Sequence, residues 1–279
     1  MLPVITILSP SLSHFNVMLS HYEWFNSLES NAYELIIVDQ NIEKSDELEK
    51  KARENEYFTY IHNQERGLSK NRNIGSKHAR GEYIFFLDDD ARFDKKMADR
   101  ILRTVESSTF DIYLGAIIDW DGNLTSYTPN DKECVLNVLS VEGRVNSNGI
   151  LAQARIVNEQ KFDEMMGVGS NFGSCEEIDF VVRSLILGKK VKYLPTIQII
   201  HPPKPYDEKK AFDYGRGHGY FTSKLLFLYP SISCKYLALK KISKCLIKYS
   251  LSIVLFRSYM RRNYRAWTYG FIQGFFKGI

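Results

Sequence analysis

The sequence lacks long uninterrupted apolar runs and closely spaced cysteines. Its most apolar window, Tyr249 to Phe256, follows Lys248 and is far shorter than the roughly 18 residues of a membrane-spanning helix. The four cysteines of the 279-residue chain show no Cys-x-x-Cys spacing, which argues against a disulfide framework or a zinc ribbon and favours a reducing cytoplasm. Residues 1–8 have no basic segment before their apolar residues, so they predict a first strand and not a signal peptide.

Acidic residues are absent from Tyr214 to Ile279, a segment with twelve Lys and Arg residues. Because the whole chain has a net charge of +4, the first 213 residues carry −8. Lys241, Lys244 and Lys248 recur at helical spacing among apolar residues, which is typical of a basic amphipathic helix. Such a helix suits anionic lipid or nucleic acid. The aromatic residues of this segment favour a membrane surface, and no nucleic-acid-binding motif accompanies them. The alternative is that the apolar side packs on the main domain and the lysines face solvent.

Strand-like and helical patterns alternate in the first half of the chain. At 44% apolar residues the chain is not disordered, and its length suits one large domain or a domain with an extension. Strands are predicted at Val4–Ser9, Leu35–Asp39, Phe58–His62 and Tyr83–Leu87, and a helical segment follows each of the first three. This alternation predicts an α/β fold with a mostly parallel sheet, whose ligands bind at the carboxyl ends of the strands.

The second half is less regular at first. Between residues 112 and 156 we interpret the chain as excursions from the sheet, with a hairpin turn at residues 121–123 before a strand at 124–127. Then follow a flexible glycine-punctuated loop at 167–173, a helix from about Glu176 to Leu187 and a strand at Val191–Leu194. The proline-rich cluster from His201 to Pro205 is predicted to end the domain.

Three consecutive carboxylates, Asp88, Asp89 and Asp90, leave the apolar strand Tyr83–Leu87 together. Adjacent like charges are unfavourable there unless a cation stabilises them. Carboxylate oxygens suit Mg²⁺ or Mn²⁺, and Mg²⁺ often binds phosphate oxygens as well. The motif therefore indicates a divalent ion carrying a diphosphate, whereas an ordinary solvated acidic loop is the alternative.

Residues 67–90 read Gly-Leu-Ser-Lys-Asn-Arg-Asn-Ile-Gly, then Ala-Arg-Gly-Glu-Tyr-Ile and Leu-Asp-Asp-Asp. This stretch resembles the signature of the family 2 glycosyltransferases, which have the GT-A fold. Asn71 replaces the usual alanine. The resemblance extends to residues 3–11 and 34–39, where Gln40 and Asn41 replace a common Asp-Gly. It implies donor contacts from the strand ends and the acidic motif. The donor contacts so implied are Pro10, Ser11, Asp39 at the base, Asp88 at the ribose or metal, and Asp89, with Asp90 on the metal.

A second stretch also resembles the family. It comprises Phe-Asp-Glu at 162–164, Gly-Ser-Cys-Glu-Glu-Ile-Asp at 173–179 and His201. Cys175 stands where the family has glycine, and Glu177 where it has aspartate. The resemblance implies that Glu177, at a helix start where the dipole favours an anion, is the base that deprotonates the acceptor. Glu176 and Asp179 are interpreted as acceptor-contacting or structural, although either could exchange roles with it.

Three further side chains have two interpretations each. His201 fits a neutral imidazole ligand of the metal, or it caps a strand end. Lys70 and Arg72 lie near the acidic motif in the predicted fold and could face the diphosphate, or they are surface residues of a helix. The loop at 167–173 could close over the donor, or it is an ordinary connection.

Taken together, the resemblance predicts a GT-A domain at residues 1–205 and a helical basic extension at 206–279. The expected activity is inverting transfer of a sugar from a nucleotide-diphosphate sugar, such as a UDP-sugar, with Mn²⁺ or Mg²⁺. The expected acceptor is a lipid-linked glycan at the inner face of a bacterial membrane, to which the extension binds, in surface-polysaccharide synthesis. The alternatives are a non-catalytic nucleotide-sugar-binding or scaffold protein, a nucleotidyltransferase and a nucleic-acid-binding protein.

Overall fold

Apolar strands and helices alternate along the chain in a computed structural model, which describes residues 2–107, 109–125, 132–201, 206–254 and 258–278. The predicted strand residues 126 and 127 and the proline cluster 202–205 lie outside the described residues. The strands are β1 (Ile5–Ser11), β2 (Tyr33–Asp39), β3 (Phe58–His62), β4 (Tyr83–Phe86), β5 (Ile112–Ile118), β6 (Cys134–Val135), β7 (Ile150–Gln153) and β8 (Val191–Ile200).

Helices cover both faces of the sheet and form the end of the chain. Two short 3₁₀ turns at 138–140 and 147–149 precede β7, and a π-helical turn at 224–228 continues α7. The helices are α1 (Phe15–Ser27), α2 (Asp46–Glu54), α3 (Leu68–Ser76), α4 (Lys95–Glu106), α5 (Ala154–Gln160), α6 (Glu176–Ile186), α7 (Glu208–Ser223), α8 (Ile232–Val254) and α9 (Ser258–Lys277).

The described strands form one sheet in the order β3-β2-β1-β4-β7-β5-β8-β6. The first four strands of the chain are parallel, with Ser11 of β1 in register with Asp39 of β2. All residues of β1, β2 and β4 are buried, because helices pack on both faces of this part of the sheet. The predicted mostly parallel α/β sheet is confirmed here, and its strand ends bring the expected polar residues to one edge.

The interpretation of residues 112–156 as excursions from the sheet is wrong. Within this segment β5 and β7 lie inside the sheet, where β7 pairs antiparallel with both β4 and β5. Strand β7 has four residues and no α-helix directly before it. It therefore lacks the strand-helix alternation by which parallel strands are recognised, and its place in the sheet could not be predicted. The predicted turn is present, since Ile118 bridges to Leu124 around Gly122, which has φ +81°.

Helices α7 and α9 cross at unusually short distance because glycines line both surfaces. A Cβ atom at Gly215 or Gly219 of α7 would overlap the backbone of α9, and one at Gly270 or Gly274 of α9 would overlap the backbone of α7. Both pairs have a Gly-x-x-x-Gly spacing, which places the two glycines on one helix face. The two helices therefore pack backbone to backbone.

Helix α8 turns two of its lysines toward the protein. Lys241 is buried and lies 3.4 Å from Glu142, and Lys248 Nζ lies 3.6 Å from the centroid of the Trp267 ring. Burial lowers the pKa of Lys248 to about 8. Burial opposes ionisation of Glu142, but Lys241, Lys244 and Lys240 together lower its pKa to about 2. Lys241 and Lys248 thus turn toward the protein, whereas Lys240 and Lys244 pair with Glu142 and stay about half exposed. The alternative in which the apolar side packs on the main domain and the lysines face solvent is therefore wrong for Lys241 and Lys248. A helical pattern of period 3.6 shows two faces without showing which one turns inward.

Candidate active site

The acidic motif follows β4 at the carboxyl edge of the parallel strands, where Ser11 Oγ donates a hydrogen bond to the buried carboxylate of Asp89. Burial raises the pKa of Asp89, while the hydrogen bonds from Ser11 and Ser13 oppose this rise. Asp88 is fixed by Asn148, whose Nδ2 donates to Asp88 Oδ2 at 3.0 Å and whose Oδ1 accepts the backbone N–H of Asp88. Hydrogen bonds therefore fix Asp88 and Asp89 in place, unlike the side chains of an ordinary solvated loop.

Asp88, Asp90 and His201 form a candidate metal centre. One ligand atom from each of the three side chains lies within 4.8 Å of the others. His201 Nε2 lies 3.3 Å from Asp90 Oδ1 and 3.8 Å from Asp88 Oδ2, yet it is buried and makes no hydrogen bond within the described residues. A buried nitrogen beside two carboxylates is an arrangement that a divalent cation satisfies, and two oxygens with one imidazole suit Mn²⁺. The residues present therefore fit the predicted ion.

A buried chain of hydrogen bonds holds the acidic motif in place. Arg92 Nη1 donates to the carbonyl oxygens of Asp89 and Ala91 and to Nδ1 of His21 at 2.8 Å. Because His21 Nδ1 accepts, its Nε2 donates to Ser9 Oγ at 2.8 Å, and Ser9 in turn donates to the Leu87 carbonyl. Burial and the Arg92 charge hold the pKa of His21 well below its usual value. A neutral imidazole thus joins β1 to both ends of the motif.

Asp39 lies at the end of β2, as expected for the predicted contact with the nucleotide base. Its carboxylate accepts hydrogen bonds from Tyr60 Oη at 2.6 Å and from the backbone N–H of Asn41 at 2.9 Å. A surface depression opens directly beside these residues. The residues lining it follow β1, β2 and β3 and are Leu12, His14, Phe15, Gln40, Asn41, Ile42, Glu43 and Arg66. The predicted Pro10 is buried in β1 before them.

The two predicted basic residues of α3 have different surroundings. Lys70 is partly exposed and pairs with Glu65. Arg72 is 1% exposed and its Nη1 donates to Glu176 Oε1 at 3.1 Å. The guanidinium carbon of Arg72 also lies 5.6 Å from the Phe86 ring centroid and 5.3 Å from that of Phe162. Arg72 therefore joins the parallel part of the sheet to the start of α6.

Helix α6 begins with the two glutamates that the sequence singles out. Glu176 is 3% exposed and is neutralised by Arg72, whereas Glu177 is half-buried. Burial and the adjacent Glu176 charge raise the pKa of Glu177 well above its usual value, and Arg72 opposes this rise. A partly buried carboxylate with a raised pKa has the properties of a general base.

Asp179, the third predicted catalytic carboxylate, is fully buried among partners. Lys224 Nζ lies 2.8 Å from Asp179 Oδ1, Arg183 Nε donates to Oδ2 at 2.9 Å, and Tyr229 Oη donates to Oδ1. Lys224 also pairs with Asp163 at 2.7 Å. These contacts match the structural interpretation of Asp179, one of the three roles that the sequence left open.

The loop at 167–173 is tied to the start of α3. Leu68 N–H donates to the Val168 carbonyl at 2.9 Å, and Ser69 Oγ donates to the Met166 carbonyl at 2.7 Å. A Cβ at Gly167 would meet Glu176 at 3.2 Å, and its φ of +99° favours glycine. The loop therefore packs against the first residues of both α3 and α6.

Sequence reasoning missed Asn148, Lys224, His21 and Arg92. Asn148 comes from the irregular segment, and no motif marks it. Lys224 was counted only as one of twelve basic residues, although its position inside an apolar stretch is unusual. The side chains of His21 and Arg92 reach the acidic motif only through the fold, so no local pattern could identify them.

The family model described as "Glycosyl transferase family 2" matches residues 22–179, just over half of the chain. The protein therefore belongs to glycosyl transferase family 2 and is a glycosyltransferase, as the sequence resemblance predicted. No curated protein matches the chain. Among the described residues, no helix combines the length and apolar character needed to cross a membrane.

Solved structures share the fold at low sequence identity. S. aureus TarS 1-349 is 14% identical, with a TM-score of 0.65 over 97% of this chain and 80% of that chain. TarS 1-349 in complex with UDP-GlcNAc is 15% identical, with a TM-score of 0.66 over 97% and 81% of the two chains. The mannosyltransferase PcManGT from Pyrobaculum calidifontis, in complex with GDP-Man and Mn²⁺, is 12% identical, with a TM-score of 0.60 over 100% and 87%. These likenesses confirm the GT-A-like α/β fold with its C-terminal helices.

Proposed function

We propose that this glycosyltransferase moves a sugar from a nucleotide-diphosphate sugar to an acceptor hydroxyl with inversion, and that the donor diphosphate binds at Asp88, Asp90 and His201. The proposal depends above all on the close arrangement of these three side chains, at the same edge of the sheet as the depression that follows β1, β2 and β3. A divalent ion held there supplies positive charge for the diphosphate leaving group. Two neighbours of the same fold bind UDP-GlcNAc and GDP-Man, so both nucleotide classes are candidate donors here.

Within this proposal Glu177 is the base that accepts the proton of the acceptor hydroxyl. Glu176 is occupied by Arg72, and Asp179 is occupied by Lys224 and Arg183. Glu177 is half-buried, and its high pKa gives it the proton affinity that a general base requires. The buried Arg72–Glu176 pair then acts on the reaction indirectly, by setting the charge next to the base.

Binding of the donor should depend on Asp90. In Asp90→Asn we expect Mn²⁺-dependent binding of the nucleotide sugar to weaken by about tenfold or more, because one negatively charged ligand is lost. Isothermal titration calorimetry with UDP-, GDP-, CDP- and dTDP-sugars, with and without Mn²⁺, measures this effect. Asp121→Asn, in the exposed hairpin turn, is the matched control and should bind as the wild type does. A folded wild type that binds none of these donors would disprove the proposed function.

The pH dependence of turnover should depend on Glu176. The base works only when it is deprotonated, so kcat rises with pH through the raised pKa of Glu177. Glu176→Gln removes the adjacent negative charge and keeps the hydrogen bond to Arg72, so the acid limb of kcat should move to lower pH. Initial rates across pH at saturating donor test this. An acid limb that stays in place, or moves to higher pH, contradicts the assignment of Glu177.

We further propose that the acceptor is a lipid-linked glycan at the inner face of a bacterial membrane, in the synthesis of a surface polysaccharide. The support is the C-terminal segment, where twelve cations and many aromatic residues occur without any Asp or Glu. A basic and aromatic surface is suited to the headgroup region of an anionic membrane. Transfer to a lipid-linked oligosaccharide in vesicles, compared with the same sugar free in solution, tests this acceptor class.

A further inference from the structure

Among the described residues, helix α8 has a row of exposed apolar side chains on the side away from the protein. Ile232, Leu239, Leu246 and Ile253 recur every seven residues and are 87%, 57%, 61% and 61% exposed. We call these four residues the outer row of α8. The opposite side of the same helix is buried against the protein through residues that include Cys234, Leu237, Ala238, Lys241 and Cys245.

Further exposed apolar residues widen the outer row. At about 100° per residue, Tyr236 and Ile247 fall beside it on the same side of the helix, and they are 61% and 58% exposed. Phe227 and Leu228, just before α8, are also more than half exposed. A contiguous apolar patch of this kind is unusual on a protein surface that faces only water, so it marks a contact with another phase or molecule.

The spacing does not suit pairing with a second copy of α8. A coiled coil needs two apolar positions in each seven residues, separated by three or four residues. The residues four positions after the first three members of the outer row are Tyr236, Ser243 and Ser250. Those three positions after them are Lys235, Ile242 and Tyr249, of which Ile242 packs partly against the protein. Neither series gives a continuous second apolar stripe on the exposed side, so the outer row is a poor coiled-coil seam, whereas it can rest in a fluid apolar layer.

The charge around the outer row suits an anionic membrane surface. Lys240 and Lys244 lie to one side of it and are about half exposed, even though both also pair with Glu142. No acidic residue lies anywhere in residues 214–279, so no carboxylate of this segment repels anionic headgroups. Tyr236 and Tyr249, both exposed, add amphipathic rings of the kind found at the headgroup level.

We propose that the outer row of α8 is the surface that inserts into the membrane, and that anionic lipid headgroups are its partner. The buried lysines hold the helix on the protein while the aliphatic side chains contact lipid. The inference names the surface that would contact the membrane in the proposed function. It rests on that function only for the membrane setting. Vesicle binding needs neither donor nor turnover, so it is measured independently of sugar transfer.

The test compares the full-length wild type with Leu239→Glu and Leu246→Glu in flotation with vesicles of phosphatidylglycerol and phosphatidylcholine. Each substitution places a charge in the outer row. It should lower the partition coefficient into the vesicles by about tenfold or more. Both positions are exposed, so the melting temperature should not fall. Leu187→Glu, at a residue 63% exposed beyond α6, is the matched control and should bind vesicles as the wild type does.

Three results would overturn the inference. The first is no binding of the wild type to these vesicles at low salt. The second is binding of both outer-row variants at the wild-type level. The third is a wild type that does not bind vesicles but forms a dimer in analytical ultracentrifugation, together with a monomeric Leu246→Glu variant. Calorimetric donor binding by Leu239→Glu should equal that of the wild type, so failure of the membrane inference is distinguished from failure of the proposed function.

Discussion

Glu177→Gln should lower kcat by about 10²- to 10⁴-fold, the usual contribution of a general base. The substitution keeps the shape of the side chain and removes its ability to accept a proton. Because burial and Glu176 already disfavour the charged form of Glu177, the neutral glutamine should leave the melting temperature unchanged or higher. Steady-state rates at saturating donor and acceptor, together with a thermal melt, measure both effects.

The same variant separates catalysis from donor binding. Calorimetry should give Glu177→Gln the donor affinity of the wild type, since the donor diphosphate is assigned to Asp88, Asp90 and His201. Glu159→Gln, an exposed residue of α5, is the matched control and should keep full activity. If Glu177→Gln retains wild-type kcat while Glu176→Gln loses it, the roles of the two glutamates are exchanged.

The parallel half of the fold could be predicted because its signals are local. Each of β1 to β4 is an apolar run with polar residues after it, so Ser11, Asp39 and Asp89 could be placed at one edge before their contacts were known. The short strand β7 and the inward orientation of the lysines of α8 could not be predicted, since both depend on partners far away in the sequence. Asn148 and Lys224 were missed for the same reason: each acts by meeting a carboxylate about 60 or 45 residues distant, Asp88 and Asp179 respectively.

The contacts between the C-terminal helices and the catalytic half argue that the two form one folding unit. A Cβ at Gly217 of α7 would overlap Ser174, which directly precedes the α6 start. His218 Nδ1 lies 3.3 Å from Cys175 Sγ, and Cys175 itself has φ +71° at the helix start. The extension predicted at 206–279 therefore packs against the residues that position Glu177.

Lys224 is the residue on which this junction most depends. Its side chain is 8% exposed, and its ammonium group bridges Asp163 and Asp179, which lie in two of the motifs of the second stretch that resembles the family. Burial opposes ionisation of Asp163, but Lys224 lowers its pKa below the usual range. Lys224→Met would leave the buried Asp179 and the partly buried Asp163 with less compensation. Breaking a buried pair such as Lys224–Asp179 costs about 3–5 kcal/mol.

We therefore expect Lys224→Met to lower the melting temperature by roughly 10 °C and to reduce kcat, because α6 loses the contact that fixes Asp179 two residues after Glu177. Urea unfolding and a thermal melt give the stability, and initial rates at a temperature where the variant is folded give kcat. Lys95→Met removes a pair of similar length, Lys95–Glu29 at 2.9 Å, from the exposed surface and should leave both unchanged. Equal losses of melting temperature and kcat in the two variants would contradict this prediction, because the buried bridge would then contribute no more than an exposed ion pair. A loss confined to Lys224→Met would instead show that the C-terminal segment stabilises helix α6 through the pairing of Lys224 with Asp163 and Asp179.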